Sequence, residues 1–209
     1  MTYGQAHERL DVLLDKHDLP WFEAEEKDIF LNFAVSEFVK TRYKDFELDE
    51  RGRQDIRTLI NTVTGSGATV ILPNGSPDPN LWFVLSLKGD FDVNDAGVQK
   101  RVTKAIRPMQ HDDINKISDD PFNKPANDDP SYLTYATTLQ IESETAPTSW
   151  TLVYIKQPNS VDGTNNPNTS FNLPEHTHEE IVNIAARKML FSIEKENYNL
   201  QVNEIKEQE

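Results

Sequence analysis

The apolar residues of this 209-residue chain change their spacing twice, and this change constrains the fold more than any other feature. Up to about residue 61 they recur every three to four positions, which is typical of amphipathic helices. They then alternate with polar residues, as in half-buried β-strands, until helical spacing returns after residue 172. We therefore predict an α+β fold in which N-terminal and C-terminal helices form a small bundle with an inserted antiparallel β-sheet region.

The helical spacing predicts three amino-terminal helices, over residues 2–18, 22–43 and 49–60. The second of these carries a wide apolar stripe that includes Ile29, Phe33 and Phe38, and we expect this stripe to face the core. A fourth helix should begin near Pro174, whose fixed φ angle suits a first helical turn, and should end near residue 195.

The alternating spacing predicts five strands with a short helix among them. Gly65 and Gly67 predict a turn before the first strand, and residues 145–148 predict a hairpin between the last two. The strands are expected at 68–72, 81–88, 98–107, 132–143 and 149–157, and the short helix at 112–118.

These elements divide the chain into four segments. Residues 1–61 form an N-terminal helical part, and residues 62–158 form the inserted antiparallel β region. Residues 159–172 are rich in Asn, Pro, Thr and Gly, which indicates an exposed linker. Residues 173–209 form a C-terminal helix and arm that pack with the N-terminal helices, and we expect the polar arm to become ordered on contact with a partner.

The charge and the absence of cysteine exclude several functions. A formal net charge of -14 argues against a protein that grips phosphate, because nucleic-acid binding relies on Lys and Arg. A chain with no cysteine has no disulfide, no thiolate nucleophile and no thiolate-bound zinc. No apolar run approaches the roughly 18 residues of a membrane span, and the charged amino end predicts synthesis in the cytoplasm without a signal peptide.

The side chains that could perform chemistry do not form a recognisable site. His176 and His178 are two positions apart on a helix, whereas helical metal ligands are spaced by three or four. His176 and Glu180 could converge, but two ligands do not make a metal site. The acidic pairs at 112–113 and 128–129 lack the ordered array of a calcium loop. We expect no catalytic residue, no cofactor and no bound metal, and therefore not an enzyme.

Two groups of residues are candidate contact surfaces. Four cations within eight residues of a strand predict a basic face that meets either a neighbouring subunit or DNA, and the acidic chain favours the subunit. These cations are Lys100, Arg101, Lys104 and Arg107. The apolar residues of the C-terminal helix and arm predict a core or partner-docking face. They are Val182, Ala185, Met189, Ile193, Tyr198, Leu200, Val202 and Ile205.

Three pairs of short segments carry a family resemblance. They are KDIFLNFA (27–34) with FVKTRY (38–43), RPMQHDDI (107–114) with PFNKP (121–125), and LPEH (173–176) with EEIV (179–182). Together, and in this order, they resemble the neck ring proteins of crAss-like bacteriophages. None of these segments has catalytic content.

The resemblance implies a structural virion protein of the head-to-tail connector. Identical copies would form a twelvefold ring, docked to the portal protein or to an adjacent neck or tail ring, with a central channel through which DNA passes. It implies no cofactor and no membrane partner. If the C-terminal helix and arm form the docking element, deletion of residues 197–209 should abolish attachment and leave the fold intact.

Two other classes of function remain open at the level of sequence. A tail-tube or tail-hub component, or a protein carried in the virion, would share the same phage context and differ in position. A hydrolase acting on glycans or cell wall would need two carboxylates in one cleft. With 35 acidic residues in the chain, such pairs carry little information.

Overall fold

The structure, a computed structural model, describes residues 1–15, 22–44, 46, 50–74, 80–95, 98–114, 120 and 124–207. For residues 94, 95, 98 and 194–207 it describes the backbone alone. The chain divides into two compact units. Unit 1 consists of residues 1–59 and 158–209, and unit 2 consists of residues 60–157.

Unit 1 is helical. Its helices are α1 (Tyr3–Asp15), α2 (Ala24–Lys44), α3 (Glu50–Ile56) and α4 (His178–Glu207). Short 3-10 turns follow α3 and precede α4, and α4 packs against both α1 and α2. Acidic residues in the first turn of α2 and basic residues in its last turn interact favourably with the helix dipole and stabilise the helix. The core of unit 1 includes Leu10, Leu14, Leu31, Ala34, Phe38, Val182, Ala185 and Met189.

Unit 2 is a single seven-stranded sheet with the order β1-β7-β3-β4-β5-β6-β2. All neighbouring strands are antiparallel except β4 and β5, which are parallel. The strands are β1 (Ile60–Gly65), β2 (Thr69–Ile71), β3 (Leu81–Asp95), β4 (Val98–Pro108), β5 (Ser131–Thr134), β6 (Thr138–Glu142) and β7 (Ser149–Lys156).

The sheet of unit 2 is nearly closed and resembles a barrel. Its two edge strands, β1 and β2, follow one another in the chain, with only residues 66–68 between them. One apolar cluster draws side chains from β2 through β7, and Val63 of β1 packs against it. The long strand β3 carries two fully or almost fully buried members, Leu87 and Phe91. The strands therefore share one enclosed core.

The predicted fold class is wrong. The structure is a mixed α/β fold in which a nearly closed seven-stranded sheet dominates, and it is not a small helical bundle with an inserted antiparallel sheet. Three features account for the difference. The largely polar segment 60–65 is a strand, the predicted strand at 132–143 breaks into β5 and β6, and Arg107 pairs with Ser131 in parallel.

The predicted hairpin between the last two strands is also wrong. Strand β6 pairs with β5 and β2, whereas β7 pairs with β1 and β3. Residues 145–148 therefore lead from one part of the sheet to another. The predicted helix at 112–118 falls mostly outside the described residues, and α4 extends twelve positions beyond its predicted end at 195, to Glu207.

Residues 161–164, predicted to belong to an exposed linker, are fixed to α2. The Asn32 side chain accepts a hydrogen bond from the backbone N–H of Val161 at 2.7 Å and donates one to the Val161 carbonyl oxygen at 2.9 Å. The Asp28 carboxylate accepts hydrogen bonds from the backbone N–H groups of Gly163 and Thr164, at 2.8 and 3.1 Å. Val161 and Gly163 are buried, whereas residues 164–170 are exposed. This segment is therefore an integral part of unit 1.

None of the helices within the described ranges is both long enough and apolar enough to cross a membrane.

Candidate interaction surface

One side of α2 exposes large apolar side chains. Ile29 is 68% exposed and Phe33 is 54% exposed, although both belong to the stripe that the sequence assigned to the core. At about 100° per residue, positions 29 and 33 lie about 180° from Leu31 and Phe38, which are buried. The sequence stripe was therefore too wide, because it joined two opposite sides of the helix.

This exposed side of α2 forms the wall of a groove of about 780 Å³, which we call the α2 groove. The groove lies within unit 1, and its described walls come from α2 and from Lys188 of α4. Its lining consists of Ile29, Asn32, Phe33, Ser36, Glu37, Lys40, Thr41, Lys44 and Lys188.

The α2 groove is cationic in a strongly acidic chain. Among the residues that the structure describes, three lysines and one glutamate line it, whereas the whole chain has a formal charge of -14. The ammonium of Lys188 lies 3.1 Å from the Glu37 carboxylate and 5.1 Å from the centre of the Phe33 ring. A cation over an aromatic face is attracted by the ring quadrupole. The groove thus offers an apolar floor with positive charge beside it.

A partly buried ionic network is centred on Arg42, between the groove residues Thr41 and Lys44 in the sequence of α2. The Arg42 guanidinium donates to Asp55 at 2.7 Å and to Glu180 at 2.7 Å, and it stacks over the Phe38 ring. His176 contacts the other oxygen of Asp55 at 2.8 Å. Because these contacts join α2, α3 and the start of α4, they orient the helices that form the groove.

His176 and His178 contact different groups. His176 is largely exposed and meets Asp55, whereas His178 is buried and donates from Nε2 to the carbonyl oxygen of Leu173 at 2.9 Å. Burial lowers the pKa of His178, so its imidazole is neutral near pH 7. Within the described part of the chain, no group of three or more His, Asp or Glu side chains is arranged to hold a metal.

Four of the eight predicted docking residues of α4 belong to the core, and the side chains of the other four lie outside the described residues. Val182, Ala185, Met189 and Ile193 are buried in the core of unit 1, which leaves no exposed docking face along that stripe. The remaining four, Tyr198, Leu200, Val202 and Ile205, lie in the part of α4 whose side chains are outside the described residues. Phe191, which the sequence analysis placed with the core or partner face of this helix, is 65% exposed.

The predicted basic face of β4 is divided between two sides of the sheet. Because side chains alternate along a strand, Lys100 and Lys104 share the side of the buried Ile106, and Arg101 and Arg107 lie on the other side. Three of the four cations meet carboxylates of unit 2 itself. The Arg101 guanidinium lies 3.1 Å from an Asp92 carboxylate oxygen. The Lys104 ammonium lies 3.2 Å from a carboxylate oxygen of Asp128, and the Arg107 guanidinium lies 3.6 Å from one of Asp129.

Comparison with known proteins does not identify the chain. No protein-family model matches it, and no curated protein matches it. Functional conclusions therefore rest on the residues and contacts described above and on the three pairs of segments quoted from the sequence.

Proposed function

We propose that this chain is a structural virion protein whose copies form a ring in the head-to-tail connector of a bacteriophage. The ring docks to the portal protein or to a neighbouring neck or tail ring, and DNA passes through its centre. Within this proposal the protein performs no catalysis and its final location is the virion neck.

The α2 groove is the observation that carries the proposal. Scattered apolar residues are ordinary on protein surfaces, but two large ones side by side in a groove, one of them aromatic, are typical of the apolar centre of a protein-protein contact, and the lysines would lie at its polar rim. The same stretch of α2 contains the segments 27–34 and 38–43, which resemble neck ring proteins. The α2 groove and two of the segments that resemble neck ring proteins therefore belong to the same helix.

The acidity of the chain also supports a ring through which DNA moves. Affinity for DNA comes largely from Lys and Arg that displace counterions from phosphates. Three of the four cations on β4 already pair with carboxylates of the same unit. A subunit of this kind would hold DNA only weakly, which suits passage more than storage.

The mass and shape of the purified protein, alone and mixed with its phage's portal protein, test the proposal. Light scattering and electron microscopy should show rings with the mass of twelve 23.9-kDa chains, either free or on the portal. Rings that join only tail proteins would instead support a tail-tube or tail-hub component. A chain that stays monomeric with the portal and with neighbouring ring proteins would contradict the proposal.

Two matched variants connect this test to the α2 groove. Phe33→Asp places a charge in the groove at a position that is 54% exposed, so the fold should tolerate it. Val12→Asp makes the same change on α1 at a position that is 48% exposed and does not line the groove. We expect Phe33→Asp to prevent ring formation and Val12→Asp to leave it unchanged.

A further inference from the structure

Helical spacing assigns the apolar residues of α4 to two stripes on opposite sides of the helix. The first includes Val182 and Met189 and is buried in unit 1. The second begins at the exposed residue Phe191 and is rotated by about half a turn from the first, at about 100° per residue. Helical spacing places three residues of the arm within about 40° of Phe191. We call this set the distal stripe: Phe191, Tyr198, Val202 and Ile205.

The end of α4 extends past the start of α2. The two helices are antiparallel, because Arg42 meets Glu180 while Glu37 meets Lys188. Equal rise along both helices brings Ala24, the first residue of α2, level with about residue 200 of α4. The remaining seven or so residues therefore continue about 10 Å beyond α2.

The end of α4 cannot occupy the α2 groove of its own chain. The helix is continuous from His178 to Glu207, and one of its own residues, Lys188, forms part of the groove wall. Val202 and Ile205 are fourteen and seventeen positions further on, about 21 to 26 Å along the axis. A continuous helix cannot turn back towards Lys44, so any occupant with this sequence comes from another copy.

The end of α4 and the α2 groove are complementary in charge and in the spacing of their apolar residues. Residues 194–209 contain five glutamates and two lysines, whereas the described lining of the groove has three lysines and one glutamate. Tyr198, Val202 and Ile205 have the i, i+4, i+7 spacing of anchors by which an amphipathic helix binds in a groove. Ile29 and Phe33 offer the apolar floor that such anchors need.

We propose that the carboxyl-terminal end of α4 in one copy binds in the α2 groove of the next copy. The distal stripe then covers Ile29 and Phe33, and the glutamates of the arm lie near Lys40 and Lys44. The inference rests on the self-assembly proposed above and names the surfaces that produce it. Each copy has one groove and one helix end, so the contact is heterologous and closes into a ring when the rotation allows.

Cross-linking between single-cysteine variants tests this contact directly, since the natural chain has no cysteine. Ser36→Cys lies in the groove and Val202→Cys lies on the distal stripe. When the two variants are mixed and treated with a short bis-maleimide, we expect a covalent dimer that mass spectrometry assigns to this pair. Glu204→Cys is the control, because it lies about 200° around the helix from residue 202 and should link poorly to Ser36→Cys.

Self-association of arm variants provides the second measurement. We expect Val202→Asp, and also deletion of residues 197–209, to weaken self-association at least about tenfold in sedimentation experiments. Asn203→Asp places the same charge beside the stripe and should have a much smaller effect. Circular dichroism of each variant shows whether unit 1 remains folded.

The outcomes separate this inference from the proposed function. Rings that form normally after deletion of residues 197–209 would overturn the inference and leave the ring proposal standing. Cross-links that join only Val202→Cys to Val202→Cys would show that helix ends pair with each other, which also overturns it. A chain that never self-associates, with or without the portal, would overturn both.

Discussion

The substitution Asp28→Asn tests how unit 1 holds residues 161–164. The buried carboxylate has four hydrogen-bonding contacts: the backbone N–H groups of Gly163 and Thr164, the Thr164 hydroxyl at 2.7 Å and His7 Nε2 at 2.9 Å. These contacts involve both carboxylate oxygens. An asparagine side chain keeps only one acceptor oxygen, and its NH₂ group must face groups that donate.

The expected loss follows from those contacts. A hydrogen bond to a charged group contributes about 1.5–3 kcal/mol, and a buried donor without an acceptor costs about 1–3 kcal/mol. Two lost bonds on one oxygen therefore lower the free energy of unfolding of unit 1 by about 3–5 kcal/mol. The same change at Asp162, whose partners Asn165 and Asn166 are exposed, should cost under about 1 kcal/mol.

Urea denaturation followed by circular dichroism at a helical wavelength measures this difference, because most helical residues belong to unit 1. Hydrogen exchange at the Gly163 amide gives a local readout, and it should become much faster in Asp28→Asn. Equal stability of Asp28→Asn and Asp162→Asn would refute the argument that the buried carboxylate anchors this segment.

Three further predictions concern other parts of the molecule. Gly65→Ala should lower the stability of unit 2 by about 3 kcal/mol, because a Cβ atom there overlaps the indole of Trp150; an unchanged melting temperature would show that the ring can move aside. Burial lowers the pKa of His178 from its ordinary value of about 6.5. Below pH 6.5 the unfolded chain therefore binds more protons than the folded chain. The contribution of His178 to the free energy of unfolding should be constant above that pH and fall below it. In urea denaturation at several pH values, the free energy of unfolding should depend less steeply on pH in His178→Gln. Arg42→Lys should lower the free energy of unfolding of unit 1 by about 2 kcal/mol, because an ammonium cannot contact the carboxylates of both Asp55 and Glu180 as the guanidinium does. A decrease below about 0.5 kcal/mol in thermal denaturation would contradict this.

The spacing of apolar residues located the helical and strand regions because spacing is a local property of the chain. Strand pairing was not predictable in the same way. Segment 60–65 has few large apolar residues, so its pairing with β7 was not foreseen. The parallel contact between Arg107 and Ser131 joins strands separated by a long excursion of the chain. Such pairings depend on the enclosed core as a whole and leave no mark on the alternation within one strand.

The candidate surfaces were harder to predict than the fold regions. Angular position on the helix would have separated Ile29 and Phe33 from the core stripe of α2, so that signal was present in the sequence. The carboxylates that meet Lys104 and Arg107 were not predictable, since Asp128 and Asp129 come from a distant loop. A polar pair on an otherwise buried side of a helix, such as Asp28 and Asn32, is a signal for a fixed neighbouring segment that the linker prediction overlooked.

The pairing of β1 with β7 has a consequence for how this protein can change over evolutionary time. The chain enters unit 2 at Ile60 and leaves it two residues after Ile155, and these residues are paired neighbours with Cα atoms about 5 Å apart. A loop of a few residues bridges such a gap. The sheet can therefore be gained, lost or exchanged between lineages without rerouting the helices, and the two units can diverge at separate rates.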